Sequence, residues 1–363
     1  FVHLKQDGSF SLISRVPSAV LKGCSLNLEQ DLTPSKSKSF FPILKTHPID
    51  WQKIRANIPK LQVAIEKVIP DLEKAWQSEF KSQKIASELC FQLAKASRID
   101  DSTFNSLTKN SGLREAPQTL YIIAPNSHSV AILEALFIAS LFDCDIHLQL
   151  PGKNNSVQRV LKTLCSGLVS AGHKVKLHGF QDFSVAMQRT HFDACFVYGT
   201  DQTIAKLQSS FNIPIYGGGN LITIGIANLS QPNCANEFSS DIIGLAGRGC
   251  LNIRLLYDVS GLKSPGFTIP QDWDYKFSPA EKIAIEHEKY RLRSFGVERF
   301  KKLKSKSSEF TFFNINLDTV KRHGIDPFIS KAIGILGIVS CGESQLLEWM
   351  KFNEDKLRKV AIK

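Results

Sequence analysis

Strand-like and helix-like segments alternate between residues 118 and 216, and this alternation constrains the fold more than any other feature. Short apolar runs bounded by turn residues predict strands at 119–124, 145–150, 173–177, 193–198 and 214–216. Apolar residues at spacings of three and four predict intervening helices at 127–142, 157–168 and 202–210. Such alternation favours a parallel sheet with helices on both faces, which places the chain in the α/β class.

The turns after the predicted strands carry the candidate ligand-binding residues, because ligands bind at the carboxyl ends of parallel strands. These turns hold Asn126 after the first strand, Pro151, Gly152 and Lys153 after the second, and Gly199, Thr200 and Asp201 after the fourth. The last turn opens a predicted helix, whose N-terminus attracts phosphate. Asn126, Thr200 and Asp201 are also typical helix-capping residues, so a purely structural role stays open for each.

A second candidate site is Cys250, the last residue of the run GRGC between a predicted helix end at 242–246 and a predicted strand at 251–257. The neighbouring glycines let backbone N–H groups approach a substrate carbonyl, and Arg248 favours the thiolate form of the cysteine. This pattern is typical of a nucleophile. The alternative is that Cys250 is a small buried residue, as free cysteines usually are.

Two glycines, Gly218 and Gly219, lie in the run YGGGN at 216–220, which precedes a predicted strand at 221–227. This position suits a close approach of the backbone to a ligand better than a phosphate-binding loop. The chain contains no GxGxxG run, so the common dinucleotide-binding fingerprint is absent.

The order of these motifs resembles that of the aldehyde dehydrogenase superfamily. An Asn follows the first strand, then come a Pro-containing turn, a Gly-Thr turn opening a helix, a double glycine and a glycine-flanked cysteine. Within the superfamily, the GRGC segment is most similar to the LuxC-type acyl-CoA reductases. The resemblance covers residues 115–345 and implies two Rossmann-type parallel-sheet domains, one for the cofactor and one catalytic, with a small oligomerisation element.

The resemblance also implies a role for each candidate residue. Cys250 takes the acyl group, and the Asn126 amide and the Cys250 N–H form the oxyanion hole. The remaining roles are all in cofactor binding: Gly199, Thr200 and Asp201 near the pyrophosphate, Pro151, Gly152 and Lys153 beside the adenosine ribose, and Gly218 and Gly219 near the nicotinamide. Leu150 stands where the family has Lys, so Lys153 is a possible substitute and the choice between NADPH and NADH stays open.

One departure from the family pattern concerns Tyr216. Hydrolytic members have a Glu at this position, which activates the water that releases the acid. Its absence implies slow hydrolysis of the acyl-enzyme, which fits an acylating dehydrogenase or a reductase that converts a fatty acyl-CoA into an aldehyde with NADPH or NADH. The family has a later Glu that holds the nicotinamide ribose, and Glu309 is the candidate for it in this chain. The alternatives are an acyl-phosphate reductase of the glutamyl-phosphate type and a non-catalytic binding protein that retains the fold.

The 363 residues suffice for two packed domains. We expect an N-terminal extension at 1–45, a cofactor-binding domain at 46–217, a catalytic domain at 218–335 and a return segment at 336–363 that ends in a basic helix. Apolar spacing predicts a helical region at 50–72, which Pro59 and Pro70 are expected to break or kink into shorter helices. The resemblance further implies a homo-oligomer, with a dimer expected.

Composition narrows the function classes. The eight cysteines lack CxxC pairs and His partners at ligand spacing, which argues against a metal site and favours a reducing cytoplasm. A net charge of +11 is explained by solvation of the surface alone, and it also suits anionic substrates such as coenzyme A and a dinucleotide. Nucleic acid is the alternative partner, but no aromatic-basic RNA-binding signature is present and the lysine run at 301–306 is expected on a surface helix or loop. No apolar run is long enough to span a bilayer, and no secretory signal is evident.

Overall fold

The computed structural model describes residues 2–4, 10–12, 47–102, 104–105, 115–180, 183–217, 222–227, 242, 252–260, 275–304, 309–329, 332–352 and 357–362. The chain divides into two compact units. The first comprises Phe1–Ile13, Ser37–Glu79 and Gln83–Asn220, and the second comprises Ser14–Lys36, Phe80–Ser82 and Leu221–Lys363.

The elements are numbered in chain order. The strands are β1 (Val2–Leu4), β2 (Phe10–Leu12), β3 (His47–Pro48), β4 (Glu115–Ala116), β5 (Thr119–Ile123), β6 (Asp145–Gln149), β7 (Val175–His178), β8 (Ala194–Val197), β9 (Ile215–Gly217), β10 (Ile222–Ala227), β11 (Ile253–Asp258), β12 (Phe300–Lys304), β13 (Glu309–Asn316), β14 (Ile335–Ser340) and β15 (Leu357–Ile362). The α-helices are α1 (Trp51–Phe80), α2 (Gln83–Ser97), α3 (Leu133–Leu141), α4 (Asn155–Ser170), α5 (Phe183–Arg189), α6 (Asp201–Ser210), α7 (Pro279–Arg293), α8 (Leu317–His323) and α9 (Glu343–Phe352).

The main sheet of the first unit has the strand order β7-β6-β5-β8-β9, and every pair in it is parallel. The chain enters at the central strand β5, proceeds outward through β6 and β7, and then crosses to the other side for β8 and β9. The order of the strands therefore reverses between β5 and β8, as in one half of a Rossmann-type sheet. The α/β prediction for residues 118–216 is confirmed.

Buried side chains explain this arrangement. The central strands β5 and β6 bury most of their length, as strands covered on both faces must. Helix α4 presents a continuous buried stripe at helical spacing that includes Val157, Leu161, Leu164 and Leu168. It also approaches α1 closely at Gly167, where an added Cβ would lie 2.6 Å from Val68 Cγ1 and 2.9 Å from a backbone carbonyl oxygen of α1.

The expectation that proline breaks the helical region at 50–72 is wrong, because α1 continues through both Pro59 and Pro70. Each proline inside a helix costs about 3 kcal/mol, since it lacks an N–H and crowds the preceding turn. Both prolines lie on the exposed side of α1, where water can satisfy the freed carbonyl groups. The opposite side is fully buried over Leu61, Ile65 and Leu72, and this packing keeps the helix continuous.

The sheet of the second unit has the order β12-β13-β14-β11-β10-β15. All neighbours in it are parallel except β12, which pairs antiparallel with β13 at the edge. Its core contains fully buried aromatic and aliphatic side chains, among them Tyr257, Phe313 and Phe328. The second Rossmann-type sheet that the resemblance implies is therefore present.

Two basic segments differ from expectation. The lysine run at 301–306 was expected on a helix or loop, but residues 300–304 form the edge strand β12, which pairs with β13 through Lys302 and Thr311. Lysines on an edge strand oppose pairing with another chain. The closing segment was expected to be a basic helix, but residues 357–362 form β15, which pairs parallel with β10 and includes the β-branched residues Val360 and Ile362.

Two further differences concern helices. Helix α5, at Phe183–Arg189, was not predicted, since its seven residues make only two turns, too few for a clear apolar periodicity. The helix expected from Ser127 begins instead as a 3₁₀ turn at Ser129–Ile132 and becomes α-helical at Leu133. None of the described helices combines the length and hydrophobicity that a membrane span requires.

Candidate active site

Two candidate turns flank the point where the strand order of the first sheet reverses. Asn126 follows β5, and Gly199 and Thr200 follow β8, which is the direct parallel neighbour of β5. The two strands stay paired to their ends, where the Tyr198 N–H donates to the Ile123 carbonyl oxygen at 3.1 Å. A crevice at such a reversal is the usual ligand site of a doubly wound sheet.

The turn after β5 leaves the Asn126 side chain exposed. The following helix has its N-cap at His128, not at Asn126, and the His128 side chain makes no capping hydrogen bond. The interpretation of Asn126 as a simple helix cap is therefore wrong. Its amide is left available for a ligand at the carboxyl end of β5.

Asn154 joins the turn after β6 to the turn after β5. Its Nδ2 donates to the Asn126 carbonyl oxygen at 2.9 Å, and its Oδ1 accepts from the Val157 N–H at 3.2 Å as the N-cap of α4. Sequence reasoning assigned no role to Asn154. An Asn directly before an apolar-periodic helix is a recognisable N-cap signal, but the bond to Asn126 depends on the parallel pairing of β5 and β6.

The turn after β6 places its three candidate residues differently. Pro151 is buried, and its carbonyl oxygen accepts from Gln158 Nε2 at 2.6 Å. Gly152 lies against the Phe180 ring, where an added Cβ would come within 2.9 Å of Phe180 Cγ. Lys153 is exposed, so its ammonium is free to reach an anionic ligand above this edge of the sheet.

The turn after β8 is a capped helix start. Thr200 is the N-cap of α6, and its Oγ1 accepts from the Thr203 N–H at 3.2 Å. The capping interpretation of Thr200 is thus confirmed, and it does not compete with a ligand role, because N–H groups of the first turn and the helix dipole still face the turn. Asp201 is the first helical residue and is exposed, so its carboxylate opposes an anion at this end of α6.

Tyr216 lies in β9, where its half-buried ring contacts Phe196 at 5.4 Å between centroids. Burial raises the pKa of the Tyr216 hydroxyl, so this side chain is protonated and uncharged at neutral pH. It cannot activate a water as a carboxylate at this position would. The next residue, Gly217, packs so tightly against Ile204 that an added Cβ would overlap Ile204 Cδ1.

Three predicted site residues, Cys250, Gly218 and Gly219, lie outside the described residues. The cofactor roles and the nucleophile role assigned to them remain predictions. Glu309, the candidate for the nicotinamide ribose, is described: it begins β13 and forms an ion pair with Lys302 Nζ at 2.7 Å across the strand pair. This contact gives Glu309 a structural role within the sheet.

The cysteines of the described part of the chain are buried thiols, at positions 90, 144, 165, 195 and 341. Burial raises the pKa of Cys90 to about 11 and that of Cys144 and Cys165 to about 12. Because the thiolate is the reactive form, these residues are poor nucleophiles at neutral pH. The described residues contain no group of three or more His, Cys, Asp or Glu side chains arranged for a metal ion.

A histidine pair lies behind the turns, on one face of the first sheet. His178 Nε2 and His147 Nδ1 are 3.0 Å apart and the two rings are stacked. Burial is the main cause that lowers the pKa of both histidines. Beside them, the Tyr121 hydroxyl donates to Gln149 Oε1 at 2.9 Å, which completes a buried polar layer under the ends of β5 and β6.

Solved structures of aldehyde dehydrogenases share this fold. Lactaldehyde dehydrogenase from Escherichia coli matches with a TM-score of 0.59 at 12% identity, over 86% of this chain and 78% of that chain. An aldehyde dehydrogenase from Bartonella henselae matches with a TM-score of 0.58 at 12% identity, over 86% and 79% of the two chains.

The proline utilization A protein (PutA) is also similar, with a TM-score of 0.55 at 10% identity over 87% of this chain. The match covers 41% of the PutA chain, so this chain spans about two fifths of that protein. A scan against protein-family models and a search of curated protein sequences both gave no match. At these identities the likeness establishes the aldehyde dehydrogenase fold, as predicted.

Proposed function

We propose that this chain is an NAD(P)H-dependent acyl-CoA reductase that converts a fatty acyl thioester into an aldehyde through an acyl-enzyme on Cys250. The observation that carries the proposal is the pair of turns at the reversal point of the first sheet. There Asn126 and the Gly199-Thr200 turn follow neighbouring strands, and the Asn126 side chain is exposed and not consumed as a helix cap.

The main sheet of the first unit, which lies within the predicted domain 46–217, carries the proposed binding site of the dinucleotide. The residues there fit such a ligand: Gly199 is exposed next to the N-terminus of α6, and Lys153 is exposed next to Gly152. Helix N–H groups and an ammonium group are suited to phosphate and ribose oxygens. Asp201 opposes an additional negative charge at the pyrophosphate turn. Lys153, which the proposal places beside the adenosine ribose, is the residue that would bind a 2′-phosphate and so select between NADPH and NADH.

Cys250 is the proposed nucleophile in the predicted catalytic domain 218–335. Its thiolate attacks the carbonyl carbon of the acyl-CoA thioester, and the Asn126 amide donates a hydrogen bond to the resulting oxyanion. Collapse expels the coenzyme A thiolate and leaves the acyl group as a thioester on Cys250. When bound, the nicotinamide would supply the hydride for reduction of this thioester. Cys250 would serve as the leaving group when the aldehyde departs, which would restore its thiolate.

Tyr216 supports reduction over hydrolysis. A protonated, half-buried phenol at this place in β9 provides no general base for water, so the acyl-enzyme persists until it is reduced. The neighbouring aldehyde dehydrogenases share the fold alone with this chain, and the acyl-CoA substrate rests on the motif resemblance. A homodimer, expected from the same resemblance, is part of this proposal.

The test is oxidation of NADPH and NADH in the presence of short, medium and long acyl-CoAs. We expect turnover with release of free coenzyme A in the wild type and no turnover in Cys250→Ala. Asn126→Ala is expected to lower kcat about 10²-fold to 10³-fold, the usual effect of removing one oxyanion donor. Activity that survives in Cys250→Ala contradicts the proposal. Turnover of acyl phosphates but not of acyl-CoAs would show that the substrate is an acyl phosphate instead.

A further inference from the structure

A buried carboxylate on α1 accepts hydrogen bonds from the segment that follows Asn126. Glu79 is 3% exposed, and its two oxygens accept from the backbone N–H of Ser129 at 2.8 Å and from the Ser129 hydroxyl at 2.7 Å. Ser129 is the first residue of the 3₁₀ turn and lies three positions after Asn126. Glu79, which lies 50 positions earlier in the sequence, therefore accepts the hydrogen bond from the first N–H of this helix.

Trp76 adds a third bond to the same group. Its Nε1 donates to Ser129 Oγ at 2.9 Å, and both side chains are fully buried. Trp76 and Glu79 are three residues apart in α1, so they project from the same face of that helix. The Ser129 hydroxyl thus donates to Glu79 and accepts from Trp76, which fixes its orientation. We call Trp76, Glu79 and Ser129 the α1 clamp.

The clamp replaces the local capping that this helix start lacks. A cap is normally supplied by a side chain next to the helix, but His128 makes no such bond. A carboxylate at a helix N-terminus is favoured by the helix dipole, and its hydrogen bonds offset the cost of burying the charge. Hydrogen bonds to a charged group are also stronger and shorter than those between neutral groups.

We propose that Glu79 and Trp76 are positioning residues, which fix the Asn126 turn at the geometry that oxyanion stabilisation requires. The inference rests on the proposed function for the role of Asn126. The turn is fixed at both of its ends. Asn154 donates a hydrogen bond to the Asn126 carbonyl oxygen, and the α1 clamp binds Ser129. Between these two anchors, the exposed Asn126 and Ser127 side chains face away from the packed core.

The experiment compares Glu79→Gln with a matched control on the same helix, Asn57→Ala. Glu79→Gln keeps the size of the side chain, but it replaces one of the two oxygens that accept from Ser129 by an NH2 group, which is a donor. Asn57 is 4% exposed on α1 and donates to the Leu141 carbonyl oxygen at 3.2 Å, at the far end of α3. Both substitutions therefore remove a buried polar contact between α1 and the same helical segment.

The first readout is amide hydrogen exchange of the unliganded chain, which needs no substrate. We expect exchange over residues 126–132 to rise about tenfold in Glu79→Gln and in Ser129→Ala, and to stay unchanged there in Asn57→Ala. Exchange that is unchanged in Glu79→Gln overturns the inference. So does an equal rise over 126–132 in Asn57→Ala, because the effect would then reflect general loosening of α1.

The second readout separates positioning from binding. In Glu79→Gln we expect kcat to fall about tenfold, while the Kd for the dinucleotide stays within about twofold of the wild-type value. A matching loss of kcat in Asn57→Ala overturns the positioning role. A wild-type chain without acyl-CoA turnover overturns the proposed function, whereas the exchange comparison decides the clamp by itself.

Discussion

The side-chain amide of Asn154 donates a hydrogen bond to the backbone carbonyl oxygen of Asn126, with a donor–acceptor distance of 2.9 Å. This bond ties the turn after β6 to the turn after β5, and Asn154 at the same time caps α4. One residue thus supports both a helix start and the turn that presents the proposed oxyanion donor.

Asn154→Ala is predicted to lose both functions. Removal of an Asn N-cap costs about 1 kcal/mol of folding free energy, and the lost bond to Asn126 adds about as much. The free energy of unfolding in urea measures the sum. Asn155→Ala is the control, because Asn155 is exposed inside the first turn of α4 and alanine is a better helix former there. Equal destabilisation in both variants would contradict the capping role.

Gly167→Ala is predicted to destabilise the first unit, although alanine favours a helix by about 1 kcal/mol over glycine. The added methyl group would meet Val68 and the Ala64 carbonyl oxygen of α1, and the backbone atom cannot rotate away. We expect the free energy of unfolding to fall by about 1–3 kcal/mol, as for other overpacked contacts. Ser166 is the exposed neighbour of Gly167, and in the same thermal or urea unfolding experiment Ser166→Ala should leave the stability unchanged or raise it slightly. A stabilised Gly167→Ala would show that α1 and α4 can separate at little cost.

The His147–His178 pair predicts a loss of stability in mild acid. Burial lowers the pKa of both side chains, and Lys176 lowers both further, while Asp145 raises that of His147. The unfolded chain therefore binds more protons than the folded chain below pH 6.5, the ordinary histidine pKa. The stabilisation is fully present above pH 6.5 and is lost as the pH falls through the lowered values.

Urea unfolding at about pH 7.5 and about pH 5.5 measures this loss. His178→Gln should reduce the difference between the two values, because it removes one titrating partner of the pair. His287→Gln, which changes an exposed histidine of α7, should leave the difference unchanged. A pH dependence that persists unaltered in His178→Gln would assign the acid sensitivity to other groups.

Alkylation should distinguish Cys250 from the buried cysteines. Cys90, Cys144 and Cys165 have raised pKa values, so they stay protonated and react slowly with iodoacetamide in the folded chain. We expect one equivalent of reagent to abolish acyl-CoA turnover, with Cys250 as the residue labelled in peptide mass spectra. Cys24→Ser and Cys234→Ser serve as controls that retain this inactivation. Inactivation by labelling at another cysteine would contradict the nucleophile assignment.

Local patterns were sufficient to predict the first sheet. The strands β5, β6 and β8 lie where their apolar runs end in turn residues, and the turns with Asn126 and Thr200 lie at the carboxyl ends, as parallel strands require. Thr200 was also recognisable as a cap from its place before an amphipathic helix. These features depend on residues that are close in sequence.

Features that depend on distant residues were not predictable. Pro59 and Pro70 are helix breakers by propensity, but the burial of one face of α1 outweighs their cost. The lysines of β12 indicate exposure to solvent, but exposure does not distinguish a loop from an edge strand. The bond from Glu79 to Ser129 joins two segments that no periodicity connects, so it emerges only from the packed structure.

The strand β15 has a consequence for how the second sheet forms. β15 covers the edge of β10, whose Ile224 and Ile226 are fully or almost fully buried in the finished sheet. On the ribosome, β10 emerges before β15, so until then this edge of β10 carries unpaired backbone N–H and C=O groups. Slow translation of the intervening region would prolong this exposure. The protein is thus expected to depend on chaperone binding during synthesis more than its finished fold would suggest.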